Sequence, residues 1–166
     1  MALITFQGKP LKTVGELPKV GSRAPDFTLT KMDLAETHLK DFLGKKVILS
    51  IFPSIDTGTC AEAERRFNEK ANQLQNTVIL CISADLPFAQ KRFCAAEGLT
   101  QIIPTSTFRH PEFGQTYGAA FVEGPLAGLL SRAIVVLDEN NTVIYTQQVP
   151  ELSKEPDYQA VLNALK

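Results

Sequence analysis

Two six-residue stretches, 47–52 (Val-Ile-Leu-Ser-Ile-Phe) and 78–83 (Val-Ile-Leu-Cys-Ile-Ser), are nearly unbroken apolar runs of strand length. A strand with apolar side chains on both faces reads as central and buried, whereas a half-wet strand would alternate. Between the two runs the period changes. Ala63, Phe67, Ala71 and Leu74 recur at helical spacing while Glu62, Arg65, Arg66 and Glu69 fill the other side, the pattern of a helix lying on a sheet. Pro87 stands where a helix can begin, because its missing N–H would go unpaired there anyway. Gly98 stands where one can end, so a second helix is expected over about 87–97.

Toward the two ends the pattern is shorter in reach. Residues 3–6 and 11–14 are apolar-rich runs around Gly8-Lys9-Pro10 and predict an N-terminal hairpin. A turn-rich segment at 21–25 precedes a short strand at 27–30, and Asp41-Phe42-Leu43-Gly44 closes a short helical or turn segment. Strands at 133–137 and 143–149 are joined through Asp138-Glu139-Asn140-Asn141 as a second hairpin, and a helix at 156–165 closes the chain. Strand–helix–strand–helix, then a hairpin, then a helix implies an α/β fold with a mixed central sheet and helices on both faces. The 47–83 unit should make one right-handed parallel crossover. That is the thioredoxin-like architecture. Gly114 to Gly128 is rich in glycine but has neither phosphate-loop nor dinucleotide spacing. With no repeat and no long linker, the expectation is a single domain over 1–166, with residues 1–15 as its hairpin extension.

Composition narrows the partners. Lys and Arg number 17 against 18 Asp and Glu, a net charge of −1 that gives no general attraction for nucleic acid or an anionic membrane. No apolar stretch approaches the ~20 residues that span a bilayer. Residues 1–14 lack a basic segment followed by a long apolar one, so a cytoplasmic protein is expected. The three cysteines, Cys60, Cys81 and Cys94, are an odd count and too few for a disulfide framework, which makes them a matter of reactivity.

The chemistry concentrates in Pro53-Ser54-Ile55-Asp56-Thr57-Gly58-Thr59-Cys60, between a buried strand and an amphipathic helix. Cys60 then falls in the first helical turn, where unpaired N–H groups and the helix dipole favour an anion. Such a placement lowers a thiol's pKa from about 8.5 toward neutrality and supplies the nucleophilic thiolate. Thr57 can offer a hydroxyl to the sulfur or to a bound oxygen, and Pro53 fixes the exit from the strand. The same pattern also fits a small helix-start residue with Thr57 as its N-cap. On spacing alone Cys94 reads as core packing, Cys81 as a doubly covered strand residue, and Arg132 as a solvated flank. His38 and His110 flank no cysteine motif, and no Cys-x-x-Cys pair marks a zinc site or a disulfide oxidoreductase.

Pro53, Thr57 and Cys60 match the Pro-x-x-x-Thr-x-x-Cys motif of the peroxiredoxins. Residues 51–57 (Ile-Phe-Pro-Ser-Ile-Asp-Thr) and 81–90 (Cys-Ile-Ser-Ala-Asp-Leu-Pro-Phe-Ala-Gln), followed by Arg92-Phe93-Cys94, resemble the bacterial thiol peroxidase subfamily. The resemblance implies a peroxidatic Cys60 and a resolving Cys94, joined during turnover by an intramolecular disulfide. It also implies that Arg132 stabilises the thiolate and polarises the peroxide. Hydrogen peroxide and alkyl or lipid hydroperoxides would be the substrates, thioredoxin the reductant and a homodimer the assembly, with no cofactor or metal. Cys94 lies seven positions beyond Pro87, about 10 Å along its helix at ~1.5 Å per residue. A disulfide needs Cα atoms roughly 4.4–6.8 Å apart, so forming the pair should require local unfolding around one or both cysteines.

Overall fold

The computed structural model describes residues 2–166. Its main sheet has seven strands: β3 (Thr28–Lys31), β4 (Glu36–His38), β5 (Lys46–Ile51), β6 (Thr77–Ser83), β7 (Ile103–Ser106), β8 (Ala133–Leu137) and β9 (Val143–Gln148). They lie in the order β4-β3-β7-β6-β5-β8-β9. The two apolar runs are the central pair, parallel and in register from Val47 beside Val78 to Ile51 beside Ile82. On the far side of β5, β8 runs antiparallel, with Ile48 opposite Val136. The sheet is mixed, as the order of elements implies.

Four helices accompany the sheet: α1 (Gly58–Ala71), α2 (Pro87–Glu97), α3 (Glu112–Thr116) and α4 (Tyr158–Ala164). Alternation along β5 divides the core. Val47, Leu49 and Ile51 pack with Phe27, Phe113 and Tyr117 on one face; Ile48 and Phe52 pack with Phe67, Cys94 and Val161 on the other. Helices α1, α2 and α4 therefore cover one face of the sheet, while α3 and a short 3-10 turn at Leu39–Phe42 cover the other. Helix α2 begins at Pro87 and ends against Gly98, whose φ of 67° is the left-handed conformation a helix C-terminus favours.

Three elements fall where the residue pattern gave none: β4, β7 and α3. β7 is the consequential one, because it pairs parallel with β6 and antiparallel with β3, joining the N-terminal strands to the sheet. The first hairpin also shifts. β1 (Leu3–Phe6) pairs with β2 (Lys9–Lys12) rather than with residues 11–14. The turn is the two residues Gln7 and Gly8, both at positive φ (51° and 78°), the geometry whose twist matches a tight hairpin. Pro10 consequently lies within β2, opposite Thr5, on a two-stranded sheet where both strands are edges. β1 also runs beside residues 150–152: Thr5 N–H donates to the Pro150 carbonyl (2.9 Å), and Leu152 N–H to the Thr5 carbonyl (2.8 Å).

Candidate active site

Both central parallel strands end on the same edge of the sheet, and the chain leaves β5 there through Pro53. The last ladder bond is Phe52 N–H to the Ile82 carbonyl (3.0 Å). Pro53 has no N–H with which to continue pairing, so the backbone turns away. Thr57 then caps α1: its hydroxyl accepts from Cys60 N–H (3.4 Å) and donates to the Ser54 carbonyl (3.0 Å). The loop is braced from the neighbouring strand by Asp85, two residues beyond β6. Its carboxylate accepts from Ser54 Oγ (2.7 Å), Ile55 N–H (2.9 Å) and Ser83 Oγ (2.6 Å). Asp85 carries no role in the residue pattern, yet its place was available there. An acidic residue just past one central strand faces the loop that leaves the parallel neighbour at the same edge.

Removing that brace leaves two hydroxyls and a backbone N–H without their acceptor. Asp85→Ala is expected to cost about 1–3 kcal/mol of stability and to slow the reaction with peroxide. Urea unfolding and stopped-flow peroxide reduction check both effects; an unchanged midpoint and rate would contradict the brace.

The opposite wall comes from Arg132, immediately before β8. It is 3% exposed, which overturns its reading as a solvated flank. Two hydrogen bonds fix its backbone, since its carbonyl accepts from Val149 N–H (3.0 Å) and from the Gln148 side-chain Nε2 (3.0 Å). Its Nε donates to the Leu152 carbonyl (3.0 Å), whereas Nη1 is buried without a partner. Between the walls lies a cavity of about 140 Å³ lined by Pro53, Thr57, Thr59, Arg132 and Ser153, with Phe6, Leu126, Leu129 and Leu152 as its apolar side. A guanidinium beside a threonine and a helix start, backed by apolar side chains, suits a small polar or anionic head with an apolar tail.

All three cysteines are free, buried thiols. Cys60, in the first turn of α1, is completely buried and packs with Phe52, Ile55 and Phe67. The structure thus gathers Pro53, Thr57 and Arg132 around one cavity, but neither Thr57 nor Arg132 donates to the Cys60 sulfur: their bonds go to Ser54 and Leu152. Cys94, in the body of α2, belongs to the same apolar cluster, and burial together with the field of Glu64 pushes its thiol up to about 12. Cys81 sits between Ser50 of β5 and Pro104 of β7, and burial pushes its thiol well above the ordinary range. That is the covered strand residue the sequence implies. The histidines lie elsewhere, His38 against Thr28 (2.9 Å) and His110 against Glu36 (2.6 Å).

Surface ties join α1 and its loop to α2. Arg65 grips Glu97 through Nε (3.1 Å) and Nη2 (2.9 Å), and Arg92 lies 3.7 Å from Asp56. Exposed pairs of this kind are screened by water and contribute little, so they steady the two helices without locking them.

Residues 19–162 match the Redoxin family model. A thiol peroxidase of Corynebacterium glutamicum is 52% identical over 165 residues, with 99% of each chain covered. The chain belongs to the thiol peroxidases of the redoxin family. A thiol peroxidase of Mycobacterium bovis is 53% identical over the same length and coverage. The crystal structure of a peroxiredoxin-like protein from Aquifex aeolicus matches with a TM-score of 0.94 at 34% identity, covering 99% of this chain and 96% of that one. This thiol peroxidase is a peroxiredoxin-type oxidoreductase that reduces peroxides at the expense of thiols, on a thioredoxin-like fold. Among its described residues, no helix is long and apolar enough to cross a membrane.

Proposed function

We propose that Cys60 is the peroxidatic cysteine and Cys94 its resolving partner, acting on hydrogen peroxide and on organic hydroperoxides. The observation that carries this reading is the cavity at the start of α1, where Arg132 and Thr57 meet four apolar side chains. The peroxide's O–O group takes the polar side and an alkyl or lipid chain the apolar one. The Cys60 thiolate attacks the terminal oxygen, the O–O bond breaks, and the departing alkoxide takes a proton and leaves as alcohol or water. Arg132, Thr57 and the helix start hold the negative charge that spreads over sulfur and the two oxygens. Pro53 walls this reaction from water. The Cys94 sulfur then displaces hydroxide from the Cys60 sulfenic acid; the Cys94 proton leaves with it as water, and a disulfide remains. Thioredoxin returns the pair to two thiols by exchange. The same reading makes the protein a homodimeric antioxidant enzyme of the cytoplasm, with residues 1–166 as one catalytic domain and the hairpin 1–15 as its extension.

Peptide mapping under non-reducing conditions tests the assignment. After one equivalent of cumene hydroperoxide, the linked peptides are expected to be those of Cys60 and Cys94, with Cys81 still alkylatable. Turnover with thioredoxin, its reductase and NADPH should be seen with both cumene hydroperoxide and hydrogen peroxide. A disulfide through Cys81, or oxidation that bypasses Cys60, would sink the assignment.

A further inference from the structure

Glu64 lies four residues beyond Cys60, one turn along the same face of α1. It is 1% exposed, and both carboxyl oxygens are buried without a hydrogen-bond partner. A carboxyl in such a place normally has a cation or several donors. This one is faced by the Cys81 thiol from β6, by Cys94 from α2 and by the Asp85 carboxylate from the loop between them. Burial raises its pKa to about 8; the nearby Cys81 thiol opposes the shift, short of a well-formed hydrogen bond, and Asp85 adds to it. Neither the peroxide cavity nor the cap of α1 uses this group.

An unpartnered carboxyl sealed under a helix weakens that helix's packing, because every motion that admits water relieves it. Helix α1 carries the buried Cys60, and its start is one of the segments whose movement would bring Cys60 to Cys94. We propose that Glu64 is a positioning residue for disulfide formation: sealed without a partner between α1, β6 and α2, it biases α1 toward an opened form in which Cys60 reaches Cys94. This rests on the pairing of those two cysteines under "Proposed function". The direction with pH follows from linkage. The closed form keeps the carboxyl proton up to about pH 8, whereas the opened form releases it in the ordinary carboxylate range. The closed form is therefore favoured at low pH and loses ground as pH rises through that window, by up to about tenfold per pH unit. Opening also decides the fate of the sulfenate. Either Cys94 reaches it and forms the disulfide, or a second peroxide oxidises it to the sulfinate, its O–O bond breaking to give a second alcohol.

Hydrogen exchange on the reduced enzyme, its Glu64→Gln variant and its Glu64→Leu variant provides the test. Wild-type amides of residues 60–67, corrected for intrinsic exchange, should lose protection by about tenfold or more between about pH 6 and about pH 8. Both variants should give flat profiles. Glu64→Leu, with an apolar side chain in the same space, should be the best protected and should accumulate the most Cys60 sulfinic acid, detected by mass, under excess peroxide. A flat wild-type profile, or an equal slope in Glu64→Gln, would overturn the proposal, as would equal sulfinic yields in wild type and Glu64→Leu. Peptide maps of the same samples keep the two readings separate. Loss of the Cys60–Cys94 link from wild-type maps with the exchange slopes intact would reject the pairing, and intact links with equal slopes would reject Glu64.

Discussion

Replacing Cys60 with serine is expected to reduce peroxide turnover to the background rate of the reaction mixture. A hydroxyl at neutral pH is neither ionised nor soft, so the atom proposed to attack the peroxide is gone while the cavity remains. The structure adds a second consequence. Because Cys60 packs fully buried with Phe52, Ile55 and Phe67, a serine hydroxyl would be placed among apolar groups. A loss of about 1–3 kcal/mol of stability is expected. Cys60→Ala removes the nucleophile without adding a polar atom and should be just as inactive with a smaller stability loss. Stopped-flow peroxide consumption and urea unfolding on the pair separate the two effects. Wild-type turnover by either folded variant would remove Cys60 from the centre of the mechanism.

Arg132→Gln should slow the reaction with peroxide by about 10²-fold or more, the scale seen when a charge-stabilising donor is deleted from a reacting site. The stability of the fold should not fall in proportion. Arg132 holds one side-chain hydrogen bond, to the Leu152 carbonyl, and leaves Nη1 buried without a partner. The charge is thus a burden on the folded state, one that the proposed catalytic role would offset, and replacing buried charge is often neutral or stabilising. A single-turnover rate measured beside a thermal melt decides the matter: a variant that keeps its rate but loses stability would make Arg132 structural.

The central layer of this fold could be read from residues because burial on both faces leaves a mark in the chain itself. Residues 47–52 and 78–83 have almost no polar positions, and Pro87 with Gly98 brackets α2 as expected. β7 left no such mark. Ile103-Pro104-Thr105-Ser106 has a proline and two hydroxyls, and it is a strand because β6 and β3 lie on either side to pair with it. Its Thr105 hydroxyl is accommodated by the Cys81 carbonyl (3.2 Å), a partner more than twenty residues away. β4 is three residues long with one buried position, too short for any period to show. The site divided in the same way. Cys60 and Thr57 declare themselves by their place at the start of a helix, which is a local property. The burial of Arg132 depends on Leu152 and the segment around it, and the confinement of Glu64 depends on β6 and α2. Neither is a property of the neighbouring residues in sequence.

The pairing of β1 with residues 150–152 sets an order on synthesis. Thr5 precedes Pro150 by 145 residues and waits for it and for Leu152 before its strand has both neighbours. Until they meet, the Leu152 carbonyl that takes Arg132 Nε is not in place, nor the Ser153 carbonyl that takes the Thr59 hydroxyl (3.0 Å), and Phe6 has no cavity to line. Elongation at roughly 5–20 residues per second separates the appearance of Cys60 from that of its far wall by several seconds. Throughout that interval the nascent chain carries Cys60 without the completed pocket around Arg132. With Cys60 and Arg132 in their proposed roles, a ribosome-bound fragment ending before residue 150 should already contain Cys60 and react with peroxide no faster than an ordinary thiol.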